Sequence, residues 1–206
     1  EQHARKEPWM ACAVGSVYRS PAHAVRTIKS APSWREALWV FRKVERSQLN
    51  VIVYGAAIGK SARAAQWQRA ILLLSELEEA GLQSDAVAYS SCISACGKGT
   101  QWQTALKLVG KLESMQIQAD LVLFNATISC CASAGEWQQA IALHCKLTEE
   151  GMDLDSTTVS STIAACERCS EWEAALQLLK AARDSGVRTN QIVYNTAISA
   201  LGKAAR

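Results

Sequence analysis

Only three prolines and three histidines occur in 206 residues. So little proline, with 49% apolar residues, excludes a disordered or loop-rich chain. His3, His23 and His144 are too few and too scattered for a catalytic triad or a histidine metal cage. The sequence holds no glycine-rich phosphate loop, no histidine-zinc signature and no cluster of carboxylates. No catalytic residue is therefore assigned, and no metal or cofactor is expected. No run approaches the roughly 18 apolar residues of a membrane-spanning helix, so a membrane partner is not expected. An excess of one charge is also missing: 22 Lys+Arg against 19 Asp+Glu leave a net +3. Any basic footprint must come from placement rather than totals. Eight cysteines are too sparse for a disulfide scaffold, and a reducing compartment is expected. The chain opens on Glu1 rather than Met, so its natural start is expected upstream and a targeting segment is neither seen nor excluded.

What the sequence has in abundance is repetition. Trp67, Trp102, Trp137 and Trp172 stand 35 residues apart. Three residues after each comes Ala70, Ala105, Ala140 or Ala175, followed by Ile71, Leu106, Ile141 or Leu176. The same interval holds Ile58, Ile93, Ile128, Ile163 and Ile198, each preceded by four residues by Tyr54, Tyr89, Phe124, Val159 or Tyr194. So many columns in one frame define a period of 35.

Each unit reads as two helices. In residues 121–155, Phe124, Ile128 and Cys131 form one apolar stripe; Gly135 breaks it; Trp137, Ala140, Ile141, His144 and Leu147 form a second. Gly151 sits where a left-handed helix end is expected. Thr100 with Gln103, and Ser170 with Glu173, read as capping boxes opening the second helix. The tryptophans beside them are expected to be core, and His144 fills a packing slot held elsewhere by Leu74, Val109 and Leu179. A two-helix unit cannot bury both faces alone, so the units must stack into a right- or left-handed solenoid.

Complete units run 51–85, 86–120, 121–155 and 156–190, and 191–206 is the first helix of a fifth. Upstream, "WREALWVF" from Trp34 matches a second-helix start, giving a degenerate first unit over 18–50 whose first helix covers about 18–30. Residues 1–17 match nothing. An array that stops mid-unit is expected to be part of a longer one.

The motifs "VAYSSCISACGKG", "LFNATISCCASAG" and "IVYNTAISALGKA", with the unit endings "GLQSD" and "GMDLD", resemble the pentatricopeptide repeat. The resemblance spans 51–206, and more weakly from about 18. It implies a right-handed superhelical α-solenoid of stacked antiparallel hairpins. It also implies single-stranded RNA as the partner, one base per repeat, in organellar RNA processing in chloroplast or mitochondrion, with protein partners for that processing. The sequence departs from the family where Ser84, Ala119, Leu154 and Thr189 replace its usual proline, and where Gly55 replaces a polar base reader.

Four columns carry the expected interface. The fifth residues are Gly55, Ser90, Asn125, Ser160 and Asn195; the closing residues are Asp85, Asp120, Asp155 and Asn190, with Asn50 closing the short unit. Repeat proteins that read single-stranded RNA use two or three side chains per base. By resemblance, Ser90 with Asp120 implies guanine, Asn125 with Asp155 uracil, and Ser160 with Asn190 adenine. Asn195 leans to pyrimidine, so the core is G-U-A-pyrimidine. The competing reading of the closing column is helix capping, which does not exclude base reading. Arg63, Lys98, Arg168 and Lys203, with Ser133 in the same column, would track phosphates; the alternative is complementing the helix dipole. Ile52, Val87, Val122, Thr157 and Ile192 would sandwich bases by resemblance, or simply pack. Two other functions remain: a tetratricopeptide-like protein scaffold, and the binding arm of a larger RNA-processing enzyme. In "CERCSEW", Cys166 and Cys169 show metal-like spacing, yet no second Cys or His pair stands at zinc distance, so they read as a helix end and a turn.

Overall fold

The computed structural model describes residues 20–117, 120–187 and 190–204; the unassigned segment 1–17 lies outside the described residues. Among these, the ordered elements are eleven α-helices and one short 3-10 turn, and no strand occurs. The helices are α1 (Pro21–Ser30), α2 (Trp34–Lys43), α3 (Val51–Arg63), α4 (Trp67–Glu79), α5 (Ala86–Lys98), α6 (Trp102–Ser114), α7 (Leu121–Ala134), α8 (Trp137–Glu149), α9 (Ser156–Arg168), α10 (Trp172–Asp184) and α11 (Gln191–Ala204). The chain divides into two compact units, Glu1–Ala95 and Cys96–Arg206. None of the described helices is long and apolar enough to cross a membrane.

The starts of α3, α5, α7, α9 and α11 recur every 35 residues, and local chemistry explains why. Before each stands an Asn or Asp whose side chain accepts the backbone N–H three residues on. Asn50 caps Val53 at 3.0 Å, Asp85 caps Ala88 at 2.8 Å, and Asp120 caps Leu123 at 2.8 Å. Asp155 caps Thr158 at 2.8 Å, and Asn190 caps Val193 at 3.1 Å.

The first helices α3, α5, α7 and α9 are each closed by a residue with positive φ: Ala65 (57°), Thr100 (54°), Gly135 (79°) and Ser170 (62°). Around Thr100, its own N–H reaches the Gly97 carbonyl while the Gln101 N–H reaches that of Cys96, a Schellman closure. Gly135 and Ser170 repeat it through Ala132 and Cys131, and through Glu167 and Cys166. The expected capping boxes are therefore not formed. Thr100 and Ser170 terminate one helix in the left-handed region, whereas an N-cap needs extended backbone. The N-caps of α6 and α10 are Gln101 and Glu171, and neither side chain makes a capping bond. The capping box that does form is Ser33 with Glu36, at the start of α2. Second helices close the same way on Gly81, Gly151 and Gly186, with Gln116 (φ 56°) in the fourth position.

In the first unit, Ile58, Tyr54, Ala57, Leu77, Tyr89 and Ile93 are buried. The Phe41 and Tyr54 rings meet edge to face at 4.9 Å. The Tyr89 hydroxyl donates to Glu78 at 2.7 Å, so this buried phenol keeps a partner. In the second unit, Val159, Ile163, Cys166, Ala175, Val193, Ala197 and Ala200 form a continuous core. Ala70, Ala105, Ala140 and Ala175 are fully buried, the close-contact points of their hairpins. The tryptophans are core only in part, short of the expectation above: Trp137 packs against the edge of the second unit's core, and none of the four is fully buried. Trp67, Trp102 and Trp137 are half-buried and Trp172 is 39% exposed. As the first residue of its helix, each tryptophan lies one turn outside the packed Ala, and its bulk flanks the hairpin.

Candidate functional site

The closing-column side chains stand at the N-termini of α3, α5, α7, α9 and α11, fixed by the caps described above. The second residues of the same helices point outward. Ile52 is 68%, Val87 70%, Val122 66% and Ile192 62% exposed, and Thr157 is exposed as well. Since the next residue in each helix (Val53, Ala88, Leu123, Thr158 and Val193) is buried, core packing does not account for the aliphatic character of the second column. Ser90, Asn125 and Ser160 lie half-buried one turn into their helices, and Asn195 is exposed. At Gly55 nothing lies within 4 Å of where a Cβ would stand, so the position is open.

One pair of fifth and closing residues is brought together by direct bonding. The Asn125 amide Nδ2 donates to Asp155 Oδ1 at 3.5 Å. Thr158 joins them: its hydroxyl lies 2.7 Å from Asn125 Oδ1 and 2.8 Å from Asp155 Oδ1. Burial pushes the Asp155 carboxyl up, but hydrogen bonds from the Thr158 backbone and hydroxyl, Thr157 and Asn125 outweigh it and hold its pKa below the usual value. Asp155 thus acts as an acceptor. The Asn190 amide turns to Ser156 Oγ at 3.4 Å rather than to Ser160. Sequence reading missed Thr158; the signal was a hydroxyl in a column otherwise held by Val53, Ala88, Leu123 and Val193.

Arg63, Lys98, Arg168 and Lys203 all lie exposed near the C-terminal ends of their helices. Arg63 Nε donates to the Gly59 carbonyl at 3.3 Å, within its own helix. Lys203 pairs with Glu167 at 3.1 Å, and Ser199 bonds the same carboxylate at 2.5 Å. Ser199 and Lys203, with Arg168 nearby, hold Glu167 below the ordinary carboxylate range against the opposing effect of burial. The cation column therefore contains its own counter-charge in this part.

The buried cysteines are packing groups. Burial raises the thiols of Cys96 and Cys166 to about 11 and Cys131 to about 12. Thiols held so far above neutrality are neither nucleophiles nor ready metal ligands. Cys169 donates to the Gly135 carbonyl at 3.0 Å, tying two turns together. Among the described residues no three His, Cys, Asp or Glu side chains are grouped as a metal would require. His144 is 7% exposed, with Nδ1 3.4 Å from the Thr162 hydroxyl, and burial lowers its pKa. It borders a cleft of about 530 Å³ between α8 and α10.

A family model for the pentatricopeptide repeat domain matches residues 72–136, and one for the single repeat matches 122–152. No curated protein matches the chain. Solved structures do. The pentatricopeptide repeat protein PPR10 from maize, in complex with an 18-nucleotide psaJ RNA element, aligns over 88% of this chain and 27% of its own at 22% identity and a TM-score of 0.71. A further structure of the maize protein aligns over 87% of this chain and 26% of its own, at 23% identity and a TM-score of 0.69. The repeat domain of Arabidopsis thaliana protein-only RNase P 1, in complex with tRNA, aligns over 88% of this chain and 95% of its own at 11% identity and 0.70. The chain thus spans about a quarter of the maize protein. These likenesses make the fold an all-α helical-repeat solenoid.

Proposed function

Because the chain is a pentatricopeptide repeat protein, we propose that it binds single-stranded RNA, one base per repeat, through the fifth and closing residues of units 51–85, 86–120, 121–155 and 156–190 and the fifth residue, Asn195, of 191–206. The observation that carries this reading is the bonded pair of Asn125 and Asp155 at the head of exposed helix ends. A solvent-facing aliphatic at Ile52, Val87, Val122 and Ile192 supports it, since a flat apolar contact suits a base face. The RNA complexes of the maize and Arabidopsis proteins point the same way.

In this reading Ser90 with Asp120 selects guanine, Asn125 with Asp155 uracil, and Ser160 with Asn190 adenine; Asn195 takes a pyrimidine. Asp85 contributes through capping, because Gly55 offers no side chain to pair with it. Arg63, Lys98, Arg168 and Lys203 run along the phosphates. The protein acts by occupancy in organellar RNA maturation, shielding a short segment or holding it unpaired, and recruits partners for processing. A second reading, the RNA-binding arm of a processing enzyme, is favoured by the likeness to the RNase P repeat domain. RNA cleavage by the purified protein would distinguish it.

The test is selection from a randomised short-RNA pool, where enrichment of G-U-A in that order is expected. Asn125→Ser with Asp155 kept should move the uracil preference toward guanine at that position alone. If no RNA is enriched, or the substitution leaves the preference in place, a protein scaffold becomes the better account.

A further inference from the structure

Charge is unevenly spread along this chain. Residues 26–46 carry six cations against Glu36 and Glu45, a net +4, whereas the whole chain carries +3. The stretch centres on α2, the second helix of the short unit, and there the charges have a face. Ala37, Val40 and Phe41 are buried, and the Phe41 ring meets Tyr54 of α3. On the opposite side Arg35, Trp39 and Arg42 recur at spacings of four and three with Lys43 beside them, and all four are exposed. The neighbouring Glu36 carboxylate is turned back to the Ser33 N–H at 3.1 Å, within the capping box. The ion pairs among the described residues use none of these three cations.

Trp39 keeps 40% of its surface exposed, and the Lys43 ammonium lies 5.8 Å from its ring centre. A planar apolar face thus stands beside cations, a pairing that a nucleotide answers with its base and its phosphate. An acidic peptide segment would satisfy the cations and leave the indole uncovered. The other units supply an internal comparison. There the position of Trp39 is held by Leu72, Lys107, Ala142 and Gln177, and the three cation positions hold one cation at most per unit. A merely solvated helix face accounts for those units but not for this one. Beyond α2, the exposed Arg46 stands four residues before Asn50, which caps α3, so the basic face runs on toward the first of the reading helices.

We propose that the outer face of α2, with Arg35, Trp39, Arg42 and Lys43, is a second RNA-binding surface that holds a single strand without regard to sequence. It would take the strand flanking the segment that the repeats read, so the inference rests on RNA as the partner, proposed above. The guanidinium forks of Arg35 and Arg42 suit phosphate oxygens, Lys43 adds a point charge, and Trp39 stacks one base.

The experiment compares a short G-U-A core RNA with the same core extended by about ten cytidines at either end. Dissociation constants are measured across a salt series for wild type, the triple variant Arg35→Gln, Arg42→Gln, Lys43→Gln, and Trp39→Ala, Trp39→Phe and Asn125→Ser. Extension at one end should tighten binding to wild type and steepen the slope of log K against log salt by about 2, since three contacts on a single strand contribute about 0.7 each. The triple variant should lose that extra slope and bind both RNAs alike while keeping its G-U-A preference. Trp39→Ala should weaken the extended RNA by about fivefold with its slope unchanged, and Trp39→Phe should recover most of the loss. If extension adds neither affinity nor slope, or the triple variant retains both, the surface does not hold RNA. The inference also fails if the triple variant weakens both RNAs equally, or if polyglutamate binds this face while the extension adds nothing. An unchanged base preference in Asn125→Ser would overturn base reading alone, because the extension is read as a difference between two RNAs. If neither RNA binds wild type, both readings fall.

Discussion

Asp155 carries two duties that substitution can separate. Its Oδ1 takes the Thr158 backbone N–H at 2.8 Å and the Thr158 hydroxyl at 2.8 Å, and it also meets the Asn125 amide at 3.5 Å. Removing the side chain with Asp155→Ala deletes the cap of α9 and leaves its donors unsatisfied, at a cost of about 1 kcal/mol. In a chain of this size that lowers Tm by roughly 2–4 °C. Asp155→Asn retains the capping oxygen, and asparagine caps about as well as aspartate, so the loss stays below about 0.5 kcal/mol. The chemistry offered to a base changes completely, however. A carboxylate accepts the N3–H of uracil, whereas an amide can present a donor to the bare N3 of cytosine. Thermal unfolding and RNA binding measured on the same two variants should therefore diverge. Asp155→Ala is expected to lose both stability and selectivity, and Asp155→Asn to keep its Tm while preferring cytosine. An asparagine variant that melts as early as the alanine variant, or that still prefers uracil with its cap intact, would refute the division of labour.

Further outcomes concern the turns, the buried imidazole and the cations. Thr100 holds φ 54°, a left-handed conformation that costs an L-residue about 1–2 kcal/mol and a β-branched one the most. Thr100→Gly should raise stability by about 1 kcal/mol after the entropic cost of glycine, seen as a higher urea midpoint. Gly135→Ala should lower it by a similar amount, because the added Cβ meets only Cys169 Sγ at 3.8 Å and backbone strain alone is felt. Burial holds the pKa of His144 below its ordinary value of 6.5. Unfolding releases an imidazole that binds a proton more readily, so its contribution is complete above 6.5 and drains as pH falls toward the folded value. His144→Leu should flatten the fall in Tm between neutral and mildly acidic pH, and an unchanged slope would remove His144 as its cause. For RNA binding, four phosphate contacts give a slope of about −3 in log K against log salt. Lys203 already shares its charge with Glu167 at 3.1 Å, so a slope nearer −2 is expected, steepening when Glu167→Gln frees the ammonium.

The hairpin frame was legible because a 35-residue period repeats the same local signals: an Asn or Asp before each first helix, a packed isoleucine within it, and a buried alanine in the second. The turn between the helices was misread. Thr100 and Ser170 have the side chains of N-caps, but the intervening connection is so short that they must first close the helix before them. A single side-chain preference loses there to two backbone hydrogen bonds per turn. The tryptophans misled for a related reason, since recurrence marks a shared position without saying how deep it lies. Of the candidate interface, the columns could be read from spacing, whereas the Thr158 link could not. It joins residues 33 apart, and it exists only because one unit breaks an aliphatic column that the others keep.

Every first helix of the main frame is capped by its closing-column residue, of which Asp120, Asp155 and Asn190 are also readers in the proposal, and these caps are Asn and Asp alone. To the helix these two are near-equivalent, while to a base they are opposites in donor and acceptor character. Their codons differ by a single nucleotide. A lineage could therefore rewrite which transcript the array favours, one repeat at a time, without passing through an unstable intermediate. Selection on target choice and selection on folding would act on the same position yet scarcely constrain one another.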